Sequence, residues 1–193
     1  KKFMTNSQKL INMDVQTLIE QTRGKDANPG GGAILILVSN LAINLMLMMD
    51  KSNWDDLEEK AIVSRETILD ISKLYTSLMQ DDVDYFNELM NAYKQNKTCK
   101  EHFINASKPL ETMVNNNQKA MQNLSFYLEN GKRSTITDGE IANELLKTAT
   151  ISSLPTIKLN VDGLGVKKDF DQIERKINEL YQMNKLIIER RNK

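Results

Sequence analysis

Asn28-Pro29-Gly30-Gly31-Gly32 leads into the uncharged run Ala33-Ile34-Leu35-Ile36-Leu37-Val38-Ser39-Asn40-Leu41-Ala42-Ile43-Asn44-Leu45-Met46-Leu47-Met48-Met49, and the rest of the chain can be laid out from this stretch. Three consecutive glycines make poor helix interior because each loses the most backbone freedom on ordering, so they mark an entry turn. Beyond them Ile34, Leu35, Leu37, Val38, Leu41, Ile43, Leu45 and Leu47 point all round a helical wheel, the pattern of a helix enclosed on every side. The expectation is a central buried helix with others packed around it. The turn has a second property, since unhindered N–H groups at the positive end of a helix can hold a carboxylate or a phosphate. It reads either as a tight turn into a buried helix or as a ligand-binding turn.

Working outward, 193 residues suffice for one domain with a real core, so the expected domain is 1–193. Lys plus Arg equals Asp plus Glu at 26 each, which leaves no basic field for nucleic acid or anionic lipid. Cys99 is the only cysteine; it excludes an intrachain disulfide and a thiolate zinc set, and points to a cytoplasmic protein. The uncharged span 27–49 is close to bilayer-spanning length. Proline and glycines take up its first part, a serine and two asparagines interrupt the remainder, and an amphipathic segment precedes it, so a core helix is expected rather than a membrane span.

Upstream, Asp14 is placed to cap a helix carrying Val15, Leu18, Ile19 and Thr22, ended by Arg23-Gly24. Downstream, Ser52 and Asp55 form a capping-box pattern for a helix that runs from Asp55 to about Met79 and continues without Gly or Pro to Tyr93-Lys94, as one very long helix or two with a kink. Within it Asp82 stands four residues before Phe86, seven before Leu89 and eleven before Tyr93, on the apolar stripe, whereas Asp81 and Asp84 face outward. A carboxylate on an apolar face is costly unless paired or protonated, and burial raises its pKa toward the range useful in acid–base chemistry. Asp82 is therefore either an inert residue at the edge of the stripe or a candidate acid–base group.

His102, the only histidine, is expected in a solvent-exposed connection after Cys99. Ser107 with Pro109 signals the next helix start, Asn130-Gly131 its stop, and Thr137 with Glu140 a further capping box beside Asp138. Pro155 should interrupt or kink that helix, Asn160-Val161-Asp162-Gly163 makes a turn, and Phe170, Ile173, Ile177, Leu180, Tyr181, Ile187 and Ile188 stripe a last helix. No phosphate-binding loop, dinucleotide fingerprint, zinc-protease motif or nucleophile elbow occurs, and no alternation is long enough for a sheet. The expected fold is all-α, a bundle of about six or seven helices around the apolar one.

Four pieces stand in order along the chain: Asn28-Pro29-Gly30-Gly31-Gly32-Ala33; Asp82-Val83-Asp84-Tyr85-Phe86 with Ala92-Tyr93-Lys94; Pro109-Leu110-Glu111; and Asn130-Gly131, Thr137-Asp138 and Leu159-Asn160-Val161. Together they resemble the formimidoyltetrahydrofolate cyclodeaminase and methenyltetrahydrofolate cyclohydrolase family. The resemblance implies an all-helical homodimer whose folate cleft, at or near the subunit interface, is built from the glycine turn, the Asp82 helix and the segment after Asp138. It places Asp82 at the family's acidic active-site position and makes Gly30, Gly31, Gly32, Lys94, Asp138 and Asn160 candidate substrate contacts, the glycine amides with Lys94 as charge partner for the anionic tail or a polar part of the pterin, and the last two to orient polar edges of the pterin or stiffen the cleft. The substrate implied is a tetrahydrofolate derivative, with no metal. Ala33 stands where the family usually has serine, Asp50 where it often has glycine, Lys132 and Thr156 where it has asparagine. A non-catalytic folate-binding or protein-interaction dimer descended from the family is the alternative.

Overall fold

The structure, a computed structural model, describes residues 9–25, 28–166 and 168–192. These form six α-helices, α1 (Val15–Thr22), α2 (Gly31–Met46), α3 (Glu58–Lys94), α4 (Lys100–Asn130), α5 (Ile136–Val161) and α6 (Phe170–Asn192), and no strand occurs among the described residues. α2 lies on a platform of α3, α4 and α5, and α6 packs against α4 and α5. The core runs through all of these layers, from Ala33, Ile36, Ala42, Ile43 and Met46 of α2 to Ile177, Leu180 and Ile188 of α6.

The order of contacts sets the polarity of the bundle. Ser72 of α3 bonds both Asn40 and Asn44, Asp50 meets Arg65, and Gly32 meets Asp82, so α2 and α3 are antiparallel. Asn117 of α4 donates to Ser39 at 2.9 Å and Thr150 at 3.1 Å and accepts from the Tyr75 hydroxyl at 2.7 Å, joining four helices through one buried side chain. A second buried amide, Asn184 of α6, bonds Asn143 at 3.0 Å and accepts from Ser125 at 2.6 Å. Each amide links polar side chains from different helices, and each is satisfied in only one helix register. At the far end, Trp54 is buried and stacks on Phe126 with centroids 5.0 Å apart, while Tyr127 meets its edge.

Several local expectations are revised. α2 is not enclosed on every side: Ala33, Ile36, Ala42, Ile43 and Met46 are inside, but Leu41, and Met48 in the 3-10 turn Leu47–Met49 that continues α2, are exposed, at 56% and 48%. The outer stripe is as apolar as the inner one, so composition alone did not distinguish them. Gly31–Met49 is long and apolar enough to cross a membrane by length and composition, and here its inner face is taken up by α3, α4 and α5.

Neither the Ser52–Asp55 nor the Thr137–Glu140 capping box forms. Glu58 accepts from the Trp54 N–H and Asn53 from the Asp55 N–H, opening a 3-10 turn before α3. α5 follows a 3-10 turn at Arg133–Thr135, and Glu140 pairs with Lys185 instead. α3 is one unbroken helix of 37 residues. α4 starts at Lys100 rather than beside Ser107, because Cys99 and His102 make reciprocal capping bonds; His102 is thus in the first turn of a helix, and Ser107 and Pro109 lie within it. α5 likewise runs through Pro155 to Val161, with the proline on its exposed face. α1 is as expected, with Asp14 accepting from the Thr17 N–H at 2.8 Å.

Candidate acid–base site at the N-terminus of the apolar helix

The glycine turn and Asp82, 50 residues apart in sequence, meet where α2 begins. Gly32 lies so close to the Asp82 carboxylate that a Cβ added there would stand 2.5 Å from Oδ1 and 2.6 Å from Oδ2. Only a residue without a side chain lets the carboxylate seat itself on the helix end, which is what this glycine is for. The Ala33 backbone N–H faces the carboxylate and favours its charged form, but burial acts more strongly and raises the Asp82 pKa from 3.8 to about 6. Met79 and Val83, within one turn of Asp82 on α3, are themselves buried. The result is a half-buried carboxylate poised to exchange a proton near neutral pH.

This arrangement changes the reading of the turn. The carboxylate nearest the positive end of α2 is the chain's own, seated against Gly32 and the Ala33 N–H. Gly31 differs, since a Cβ there would meet nothing within 4 Å. Gly30 and Gly31 border an open cleft of about 360 Å³ lined also by Thr22, Gly24, Lys25 and Ile34.

The other candidates separate by height along the bundle. α2 and α5 are antiparallel, with Met49 against Gly139 and Ser39 level with Thr150, so Asn160 in the last turn of α5 lies at the Asp82 end. It borders the α5–α6 connection, where a larger cleft of about 830 Å³ includes Lys158, Val161 and Phe170. Asp138 is in the first turn of α5, at the opposite end of α2, about 25 Å away by helical rise. Lys94 is exposed in the last turn of α3, about 18 Å along the axis from Asp82. Within one chain the structure thus brings together Asp82, the glycine turn and the Asn160 end of α5, and leaves Asp138 and Lys94 apart from that point.

Of the unusual residues, Asp50 has a role of its own. It accepts from the Trp54 indole N–H at 2.9 Å and is held by the Arg65 guanidinium. Burial works against its charge, yet the bonds from Arg65 and Trp54 outweigh that and hold its pKa below the usual carboxylate value. It pins the turn between α2 and α3 far from Asp82. Ala33 contributes only its backbone to the site, and Lys132 is exposed, its N–H donating to the Met49 carbonyl at 2.8 Å. Thr156 is exposed on α5. No cluster of three or more His, Cys, Asp or Glu side chains able to hold a metal occurs among the described residues.

What sequence spacing did not reveal is the partner of Asp82. Its place on the stripe marked the carboxylate as unusual, but the facing Gly32 belongs to another helix, and no local pattern links the two.

No curated protein matches the chain by sequence. Among solved structures, the crystal structure of formiminotetrahydrofolate cyclodeaminase from Thermotoga maritima is similar, with a TM-score of 0.83 over 92% of this chain and 96% of that one at 18% identity. That likeness is one of fold, and it agrees with the all-α bundle described above. Residues 14–179, which include the glycine turn, Asp82, Lys94, Asp138 and Asn160, match the family described as Formiminotransferase-cyclodeaminase, and the chain belongs to that family.

Proposed function

We propose that this chain is an enzyme of one-carbon folate chemistry that closes 5-formimino-tetrahydrofolate to 5,10-methenyl-tetrahydrofolate with release of ammonia, opens the methenyl ring to 10-formyl-tetrahydrofolate with water, or does both. The observation that carries this reading is the seat of Asp82: a half-buried carboxylate with a pKa near 6, fixed against the start of α2 by Gly32.

Both reactions need a proton taken from a nucleophile and one given to a nitrogen. In the cyclodeaminase direction N10 attacks the carbon of the protonated formimino group; Asp82 takes the N10 proton and returns it to the resulting amino nitrogen, which leaves as ammonia as the carbon–nitrogen bond breaks. In the hydrolase direction the same carboxylate takes a proton from the water that adds to the methenyl carbon and gives it to the ring nitrogen released, while the second water proton passes to solvent as the formyl carbonyl forms. A group with a pKa close to ambient pH serves as acceptor and donor in turn. Asn160, at the same end of the bundle, is placed to orient a polar edge of the pterin.

The active assembly in this proposal is a homodimer. Its support is the uncovered apolar stripe of α2 and the 3-10 turn that continues it, where Leu41 and Met48 are exposed, together with exposed Leu69 and Ile141 on the two flanking helices. A two-fold dimer that packs α2 against its own copy in the antiparallel sense brings Asp138 of the partner subunit to the Asp82 end, which gives Asp138 a place in the cleft. We read α2 as a bundle helix and the protein as cytoplasmic, without a resident metal or a nucleic-acid partner; the balanced charge and the free, exposed Cys99 support this.

The test is the loss of 5,10-methenyl-tetrahydrofolate absorbance on adding protein, beside Asp82→Ala and a no-protein control, followed by the assay from 5-formimino-tetrahydrofolate. Acceleration abolished in the variant supports the reading. Acceleration by neither reaction, or turnover that survives Asp82→Ala, overturns it.

A further inference from the structure

α2 begins at Gly31, at the height of Asp82, whereas α3 continues to Lys94, twelve residues or about 18 Å further. Because the two helices are antiparallel, no part of α2 stands over that last stretch. The helix face that carries Asp82 therefore emerges from the bundle as an open shelf, with the glycine turn as its end wall. Phe86, one turn beyond Asp82, and Tyr93, eleven residues beyond, lie on this face and are exposed at 39% and 66%. Leu89 between them is turned in and buried. Lys94 follows at the flank of the shelf, exposed and in no salt bridge among the described residues.

Two exposed rings on one face, a free cation at the outer end and a seated carboxylate at the inner end form a graded surface. It is flat and aromatic in the middle, where a planar ring gains by stacking, and cationic at the end, where a carboxylate gains. Resting on the folate reading above, we infer that this shelf binds the p-aminobenzoyl-glutamate arm of the substrate: the Phe86 ring stacks on the benzoyl ring, and the Tyr93 hydroxyl and Lys94 ammonium receive the glutamate carboxylates. The pterin is then left at Asp82 and Gly32, so one helix carries the proton-transfer group and the measure of substrate length. The shelf also gives Lys94 a role that its distance from Asp82 otherwise denies it.

The experiment is calorimetric titration of the full chain with 5-formyl-tetrahydrofolate and with 5-formyl-tetrahydropteroate, which lacks the glutamate. Wild type should bind the first more tightly than the second. Lys94→Gln should erase that preference while leaving binding of the pteroate unchanged, and Tyr93→Phe should reduce it. Phe86→Ala should weaken both ligands about tenfold, as loss of one ring stack does, and Phe86→Tyr should restore them; Lys94→Gln and Tyr93→Phe should melt like wild type, and Phe86→Tyr, which keeps the partly buried ring, separates lost stacking from lost stability. If wild type binds both ligands and Phe86→Ala, Tyr93→Phe and Lys94→Gln bind them unchanged, the shelf assignment falls and the folate reading stands. Equal binding of the two ligands by wild type overturns the tail-binding role of Tyr93 and Lys94, and binding of neither overturns the shelf and the folate reading together.

Discussion

The Asp82 carboxylate rests against the backbone of Gly32, so close that a methyl group on that glycine would lie 2.5 Å from Oδ1 and 2.8 Å from Cγ. Gly32→Ala should therefore displace the carboxylate rather than disturb the fold, since the obstructing atoms are the far end of a side chain. Alanine is also the better residue in the first turn of a helix, by up to about 1 kcal/mol. The expected outcome is a melting temperature equal to or above wild type together with a loss of about tenfold or more in kcat. Thermal denaturation beside the methenyl-folate assay checks both.

Asp82 also sets opposing demands of stability and chemistry. Its pKa is about 6 in the folded chain against 3.8 without burial. Between those values the folded state binds the proton more tightly, so stability falls as pH rises from about 4 to about 6, and the whole penalty remains above 6. Asp82→Asn should accordingly stabilise the protein at pH 7, by up to about 3 kcal/mol, and give little below pH 4. The same variant should be inactive. Urea titrations at the two pH values provide the measurement.

Because the first proton transfer requires the ionised carboxylate, kcat/KM should fall about tenfold per pH unit as pH drops below about 6. A pH profile flat from 5 to 7 would show that Asp82 is not the proton acceptor.

The Asp50–Arg65–Trp54 cluster predicts the opposite pH sense. Asp50 is held below its ordinary pKa, so its contribution is present above the usual carboxylate range and is lost as pH falls through the lowered value. Arg65→Ala should cost about 1–2 kcal/mol at pH 7, the pair being only half-buried, and should leave turnover intact because the cluster sits at the end of α2 remote from Asp82.

Asn117→Ala should cost about 2–4 kcal/mol, because it removes three buried hydrogen bonds at once, leaves Ser39 without its partner and opens a gap where four helices meet, while Tyr75 and Thr150 keep their bonds to the Met113 and Leu146 carbonyls. Chemical denaturation measures the loss.

For the proposed dimer, Leu41→Glu combined with Met48→Lys puts charges on the uncovered stripe of α2. Light scattering should show the mass halved, with helicity by circular dichroism unchanged. An unaltered mass would remove this face from the interface.

Local chemistry made much of this protein readable. The 3.6-residue stripes of α3 and α6, the Asp14 cap and the glycine entry to α2 each depend on neighbours within a turn or two, and they establish an all-α bundle without reference to anything distant. The same logic marked Asp82, whose displacement onto an apolar stripe is a property of one helix. Where competing local signals existed, the nearer cap in space prevailed: Cys99 with His102 opened α4 eight residues before Ser107, and packing carried α5 past Pro155.

Only tertiary packing decided which apolar stripe of α2 is inside, since both are equally hydrophobic and the difference lies in where α3, α4 and α5 stand. It also decided that the carboxylate at the start of α2 is Asp82 itself, and that Asn160 joins that end while Asp138 goes to the other. Those relationships follow from the antiparallel order of α2 against α3 and α5. They join residues more than 45 positions apart in the chain, and side-chain periodicity, which repeats every few residues, holds no information about them.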